Sequence, residues 1–131
     1  MNTMIKDIHA RALIDCKGKP LLEVDVITED GIMGRGASPS GISAGEHEAL
    51  VLRDGDKNWY DGQGVFKAVD TVKRVVAPML RGMNVLDQKK IDEALISLDG
   101  TKNKSVLGGN VTYSTSLAAM RAACQTLHLS Q

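Results

Sequence analysis

The chain has 131 residues, with 16 Lys and Arg against 16 Asp and Glu and a formal net charge of zero. That is enough for one domain with its own core, and it lacks the basic excess that nucleic-acid binding requires. No run approaches the ~20 apolar residues of a membrane span, and the opening MNTMIKDIHA lacks the apolar stretch of a secretory signal, so the expected compartment is the cytoplasm.

Aromatic residues make up 3% of the chain and hydrophobic residues 43%, so the core has to be built from Val, Leu, Ile, Met and Ala. In chain order, the first 37 residues read as strands. Ile8, Ala10, Ala12 and Ile14 alternate with His9, Arg11, Leu13 and Asp15, the period of a strand with one buried face. CKGKP is a turn. Leu22, Val24 and Val26 then alternate with Glu23 and Asp25, EDG makes a second turn, and IMGRGA a third short strand. Short turns predict an antiparallel meander. Its second face, with His9, Arg11, Glu23 and Asp25, is charged and is expected to meet solvent or a polar partner.

SPSGISAGEHEAL (residues 38–50) follows, leading into a segment expected to turn helical. LRDGDKNWYDGQG is polar and turn-rich, with Trp59 and Tyr60 as expected anchors. The rest is helical. Val65, Ala68, Val69, Val72, Val75, Val76 and Met79 form one apolar stripe ending at Pro78 and Gly82. Asp87 is placed to cap a second helix with Ile91, Ala94, Leu95 and Leu98 inward, stopped by Asp99 and Gly100. Asn110 is the predicted cap of a third, with Leu117, Met120, Cys124 and Leu127 inward, and SLAAMRAAC within it is small enough for close packing. Strands first and helices after predict an α+β domain: a three-stranded antiparallel meander followed by three main helices.

Few residues carry chemistry by spacing alone. Cys16 and Cys124 read as reduced thiols, since neither has a metal-ligand neighbour. His47 lies between two glutamates in GEHEA but fits no zinc-protease spacing and reads as structural, as do His9 and His128. DGTKNKS (99–105) reads as a solvated connector. SGISAG lacks the lysine of a phosphate-binding Walker loop and does not match the dinucleotide fingerprint. As a surface turn it is ordinary. Its serine oxygens nevertheless suit Mg²⁺ beside a phosphate, and its glycines suit a lid.

These stretches, in this order, resemble the N-terminal domain of enolase. IKDIHARALIDCKGKP…EVDV is similar to the family's opening hairpin. GRGASPSGISAGEHEALVLRDGD is similar to its substrate loop, and GVFKAVDTV, LDQKKIDEALISLDGTKNKS and SLAAMRAA to its helices. The resemblance covers essentially residues 1–131. It implies a lyase of glycolysis that interconverts 2-phosphoglycerate and phosphoenolpyruvate plus water with two Mg²⁺ ions. The base, the acid and the main metal carboxylates are expected on a C-terminal barrel. A barrel takes on the order of 200 residues or more, so this chain lacks one and is not expected to turn over alone. Here the resemblance implies a substrate loop of Ser40, Gly41, Ile42, Ser43, Ala44 and Gly45, with Ser43 as ligand to the second Mg²⁺ and His47 and Glu48 as loop support. Arg11 and Glu23 match positions that meet a partner subunit in a dimer or octamer. Lys17, Ile42 and Ala44, and NVTYSTSLA at 110–118, depart from the usual family pattern. Those departures keep open a non-catalytic, partner-binding enolase-like protein and, less favoured, a lyase of the wider superfamily acting on another acid.

Overall fold

The computed structural model describes residues 1–40 and 45–131. Three strands, β1 (Ile5–Ile14), β2 (Pro20–Thr28) and β3 (Met33–Ala37), form an antiparallel sheet in that order. An irregular stretch with one short 3₁₀ turn (Tyr60–Gly62) leads to a helical rod: α1 (Phe66–Thr71), a π-helical segment (Val72–Val76) and α2 (Ala77–Leu80). Then come α3 (Gln88–Asp99) and α4 (Gly109–Leu127). The expected α+β architecture is the one observed.

The register explains the two faces of the sheet. Val24 lies opposite Ala10 and Gly36, and Val26 opposite Ile8 and Gly34, so these residues share the inner face. Leu22, Val24 and Val26 are completely buried, with Leu80, Ile91, Leu95 and Leu107 from the helical half. Each such side chain contributes about 1.5–3 kcal/mol on leaving water. The inward period on β1 fades toward its end, where Ala12 and Ile14 are exposed; the chain leaving the rod is bonded to the start of β1, Ile5 N donating to the Met83 carbonyl at 2.8 Å and Gly82 N to the Ile5 carbonyl at 2.9 Å. Far from anchoring the segment to the body, Trp59 and Tyr60 are half exposed, and the Trp59 ring meets those of Tyr60 and Phe66, with centroids 5.7 and 6.0 Å away.

The rod departs from the predicted stripe in one respect. Val75 and Met79 are exposed, whereas Val76, Ala77 and Leu80 are buried. The wider π turn holds one more residue than an α turn and slides the apolar face along by one position. Pro78 supplies a reason. In an α-helix its ring would collide with the carbonyl four residues back, and the widened turn just before it, Val72–Val76, relieves that collision. The rod therefore runs through Pro78 and ends at Leu80. Arg81 then donates to Asp7 of β1 at 2.9 Å, tying the rod's end to the sheet.

α3 follows its prediction: the Asp87 side chain accepts from Lys90 N, and Gly100 closes the helix in the left-handed conformation, φ 72°. α4 does not. Gly108 rather than Asn110 precedes it, and its buried face is Val111, Ser114, Thr115, Ala118, Ala119, Ala122 and Thr126. Leu127 is 48% exposed, and Leu117 and Met120 line a groove of about 540 Å³ between α3 and α4. The reason lies in β3. A Cβ on Gly34 would sit 2.1 Å from the Ala118 carbonyl oxygen and 2.2 Å from Ala122 N, and one on Gly36 2.4 Å from the Ser114 carbonyl oxygen. Helix backbone rests directly on strand backbone, which only the small-residue face of α4 permits. Arg121, beside that face, donates to the Arg35 carbonyl at 2.7 Å.

Candidate functional site

Of the expected loop residues, Ser40 and Gly45 are described, and Gly41, Ile42, Ser43 and Ala44 lie outside the described residues. The two flanks are held differently. On the first, Ser38 is buried and its N–H donates to the Leu22 carbonyl at 3.0 Å, extending the ladder beyond β3. Ser40 is gripped twice. Its hydroxyl donates to Asp15 in a short hydrogen bond, and its carbonyl accepts from Arg53 Nη2 at 3.0 Å. Asp15 also accepts from Lys17 N and Lys19 N, both at 2.8 Å, so the β1–β2 turn is folded around the same carboxylate. These bonds, led by the one from Ser40, hold the Asp15 carboxyl below its ordinary range.

On the second flank, Glu48 Oε2 accepts from Gly45 N at 2.8 Å, and Glu48 N donates to the Gly45 carbonyl at 3.2 Å. Glu48 thus closes a turn on the loop's second root, whereas His47 is exposed. The helix expected after this turn is absent; the chain runs on without regular structure to residue 56. Its hydrogen bonds are made instead with distant groups. Leu50 N donates to the Asn103 carbonyl at 2.8 Å, and Gly109 N to the Leu50 carbonyl at 2.6 Å. Asn110, 3% exposed, accepts from Leu52 N at 3.0 Å and donates to the Leu52 carbonyl at 3.2 Å. Asp54 accepts from Phe66 N at 3.0 Å and Lys67 N at 2.7 Å and so caps α1 from twelve residues away. Buried main-chain groups need partners, and side chains supply them where no ladder does.

The connector DGTKNKS is also built rather than merely solvated. Asp99 is buried and accepts from Thr101 N at 2.9 Å, Val106 N at 3.1 Å and Leu107 N at 2.7 Å, and from the Thr101 hydroxyl. Burial alone would raise its pKa, but these bonds carry it below the usual range. A cleft of about 640 Å³ opens between the two loop flanks and the start of α4, lined among others by Lys19, Ser38, Ser40, Glu48, Arg53, Asn103 and Tyr113.

The second group of expected site residues lies on the outer sheet face. Arg11 and Glu23 are in register and pair within the chain, Nη1 to Oε1, at 2.6 Å. They belong to a larger cross. Arg11 Nη2 donates to Asp25 at 2.5 Å, Arg35 Nε to Asp25 at 2.7 Å, and Arg35 Nη2 to Asp25 at 3.1 Å. Asp25 is 3% exposed. Its burial opposes ionisation, but the bonds from Arg35 and Arg11 outweigh it and carry the carboxyl from 3.8 down to about 2. Sequence reading placed Arg11, Glu23 and Asp25 on this face. It did not foresee Arg35, although Arg35 follows by alternation within the third strand.

Among the described residues, no cluster of three or more His, Cys, Asp or Glu side chains is placed to hold a metal ion, and no helix is long and apolar enough to cross a membrane. Asp15, Arg53, Asp54 and Asn110 were missed as site residues. Each bonds a partner at least 12 residues away, and no local pattern marks such a contact.

The family model described as the enolase N-terminal domain matches residues 5–130. The chain is 52% identical over 129 residues to Enolase 2 of Pseudomonas syringae pv. syringae (strain B728a), covering 98% of this chain and 30% of that protein. It therefore spans less than a third of the length of the curated relative it matches. A domain match over nearly all of the chain, on a fold of the expected architecture, means that this chain belongs to the enolase family, as its N-terminal domain.

Proposed function

We propose that residues 1–131 are the substrate-loop domain of a lyase that interconverts 2-phosphoglycerate and phosphoenolpyruvate plus water. The catalytic base, the acid and the main metal carboxylates would lie on a C-terminal barrel outside this chain. The observation that carries this reading is the pair of built loop roots. Ser40 is fixed by Asp15 and Arg53, and Gly45 by Glu48, so Gly41 to Ala44 span the interval between two anchored points beside a cleft. In an ordinary surface turn, three charged side chains would have little reason to converge on the flanking residues.

The donor set fits a supporting role toward Mg²⁺ and not a complete site. No cluster of metal-binding side chains is present among the described residues, and a serine hydroxyl fills one oxygen position of the six that Mg²⁺ demands. Ser43 would supply that oxygen to the second of two Mg²⁺ ions. When bound, the metals offset the negative charge that builds up on the substrate carboxylate as the proton leaves. The residues of this chain act by covering the substrate, excluding water and holding one hydroxyl in place. Arg11 and Glu23 would face a second subunit of a dimer, exchanging part of their mutual pairing for partner contacts. The cytoplasm is the expected site of such an enzyme.

The test is Ser43→Ala in the full-length protein, assayed for phosphoenolpyruvate formation across a Mg²⁺ titration. Turnover is expected to fall about tenfold or more, with a higher Mg²⁺ requirement, as for loss of one preorganised transition-state contact. An unchanged Mg²⁺ dependence would remove Ser43 from the site. A full-length protein without any turnover would instead favour the partner-binding reading.

A further inference from the structure

Helix α4 is apolar on two opposite sides. Its small-residue face lies on β3. Turned away from the sheet, Tyr113, Leu117, Met120, Cys124 and Leu127 follow one another at intervals of four, three, four and three residues, the spacing of a seam between two packed helices. Arg121 is the single charged residue among the 19 of α4, and it is taken up by the Arg35 carbonyl and the Gln131 side chain. A helix with one side in water carries charged and polar residues there, and one that is apolar on both sides is buried on both. Yet Tyr113 is 54% and Leu127 48% exposed, and Leu117, Met120 and Cys124 are only half-buried. The groove beside them reaches Ile96 of α3, itself 53% exposed. The stripe therefore lacks its partner among the described residues.

The end of α4 indicates what covers it. His128 takes the left-handed conformation, φ 56°, and Leu129 N donates back to the Cys124 carbonyl at 2.8 Å, which closes the helix. Two residues further on, the Gln131 side chain accepts from Arg121 Nε at 2.8 Å. Leu129 thus sits level with Cys124 and Gln131 level with Arg121, so the chain has turned back along α4 toward its start. A short connection of this kind joins antiparallel helices. The matched relative is much longer than this chain, which covers 30% of it. We propose that in the full-length protein the segment following Gln131 returns as a helix antiparallel to α4 and seats its own apolar residues on the Tyr113–Leu127 stripe. This rests on the reading of residues 1–131 as one domain of a longer enzyme.

The experiment uses the full-length protein with Tyr113→p-benzoylphenylalanine, a photoreactive aromatic at the end of the stripe far from Gln131. Irradiation, digestion and mass spectrometry identify what it touches. Antiparallel helices advance by the same ~1.5 Å per residue, so the expected adduct joins position 113 to the same chain roughly eight to twelve residues beyond Gln131. A covalent dimer would put a second copy of the chain on the stripe, an adduct in a remote part of the same chain would put another element there, and no adduct would leave it bare; each overturns the proposal. If the variant does not fold, maleimide labelling of the unaltered protein decides. Cys124, under the returning segment, is expected to react about tenfold or more slowly than the exposed Cys16, meeting the reagent through local opening; equal rates overturn the proposal. The intact mass separates the failures. A native chain that ends at Gln131 removes the longer-enzyme reading and the covering segment with it. A longer chain whose adduct lies elsewhere removes the covering segment alone.

Discussion

The α4–β3 contact and the 45–64 segment sit side by side and are held by opposite means. In the first, both partners have regular structure and satisfy their own backbone hydrogen bonds, so side chains can shrink to nothing: Gly34 and Gly36 meet Ser114, Ala118 and Ala122 with main chain against main chain. In the second, regular structure is nearly absent, and Asp54, Asn110, Arg53 and Glu48 reach across to bond main-chain groups one by one. The first region is held by dispersion across a close fit and the second by polar side chains standing in for a ladder. Only the second leaves the backbone path free to be set residue by residue, which is what a loop platform needs.

The contrast can be broken most severely on the close-fitting side. Gly34→Ala puts a methyl carbon 2.1 Å from a backbone oxygen. Because no flexible side chain can yield, it is expected to cost about 3 kcal/mol or more, at the upper end of overpacking penalties. A thermal or urea melt of this domain measures it, and a near-wild-type melt would mean that α4 can lift off β3 cheaply. On the polar side, Asn110→Ala strands the N–H and C=O of Leu52 near the buried start of α4. A loss of about 2 kcal/mol is expected. Proteolysis or amide exchange should show the 48–56 segment loosening before the sheet does. The outer sheet face sharpens the comparison through pH. Asp25 has its pKa lowered to about 2 in the folded protein from an ordinary 3.8, so the folded state favours its ionised form. The resulting stabilisation, about 2 kcal/mol at most, is fully present above about pH 4 and is lost as pH falls toward 2. Asp25→Asn should flatten that part of the acid-unfolding curve while leaving the neutral-to-alkaline side unchanged in shape.

What the sequence disclosed follows the same division. Period two exposed the strands and the charged face, and α3 showed its stripe, its Asp87 cap and its Gly100 stop, because each of these signals is local. The inward face of α4 was misread for a physical reason. Leu117, Met120, Cys124 and Leu127 are the larger residues, and size ordinarily marks the buried side. Here the partner strand has no side chains at Gly34 and Gly36, so the helix presents its smallest face. The slip of the rod at Val72–Val76 likewise depends on a proline whose cost falls on a carbonyl one turn earlier. In the candidate site, the family resemblance proposes a loop at Ser40–Gly45, but the distant bonds at its first flank were invisible: Asp15 to Ser40 spans 25 residues and Arg53 to Ser40 spans 13. Contacts at such separations are set by tertiary structure and leave no periodic trace.

The bond from Arg121 to the Arg35 carbonyl also bears on how the protein behaves in a crowd. Ser38 N bonds the Leu22 carbonyl, so on β3 the even-numbered residues face β2, and the odd ones, Met33, Arg35 and Ala37, turn their backbone groups outward. That outward row is an open invitation to a foreign strand, the usual beginning of sheet-to-sheet aggregation. Arg121 occupies its middle acceptor at 2.7 Å and leaves a guanidinium across the approach. A strand trying to dock there would have to displace a charge to gain its central hydrogen bond, and on this side growth of the sheet stops at three strands.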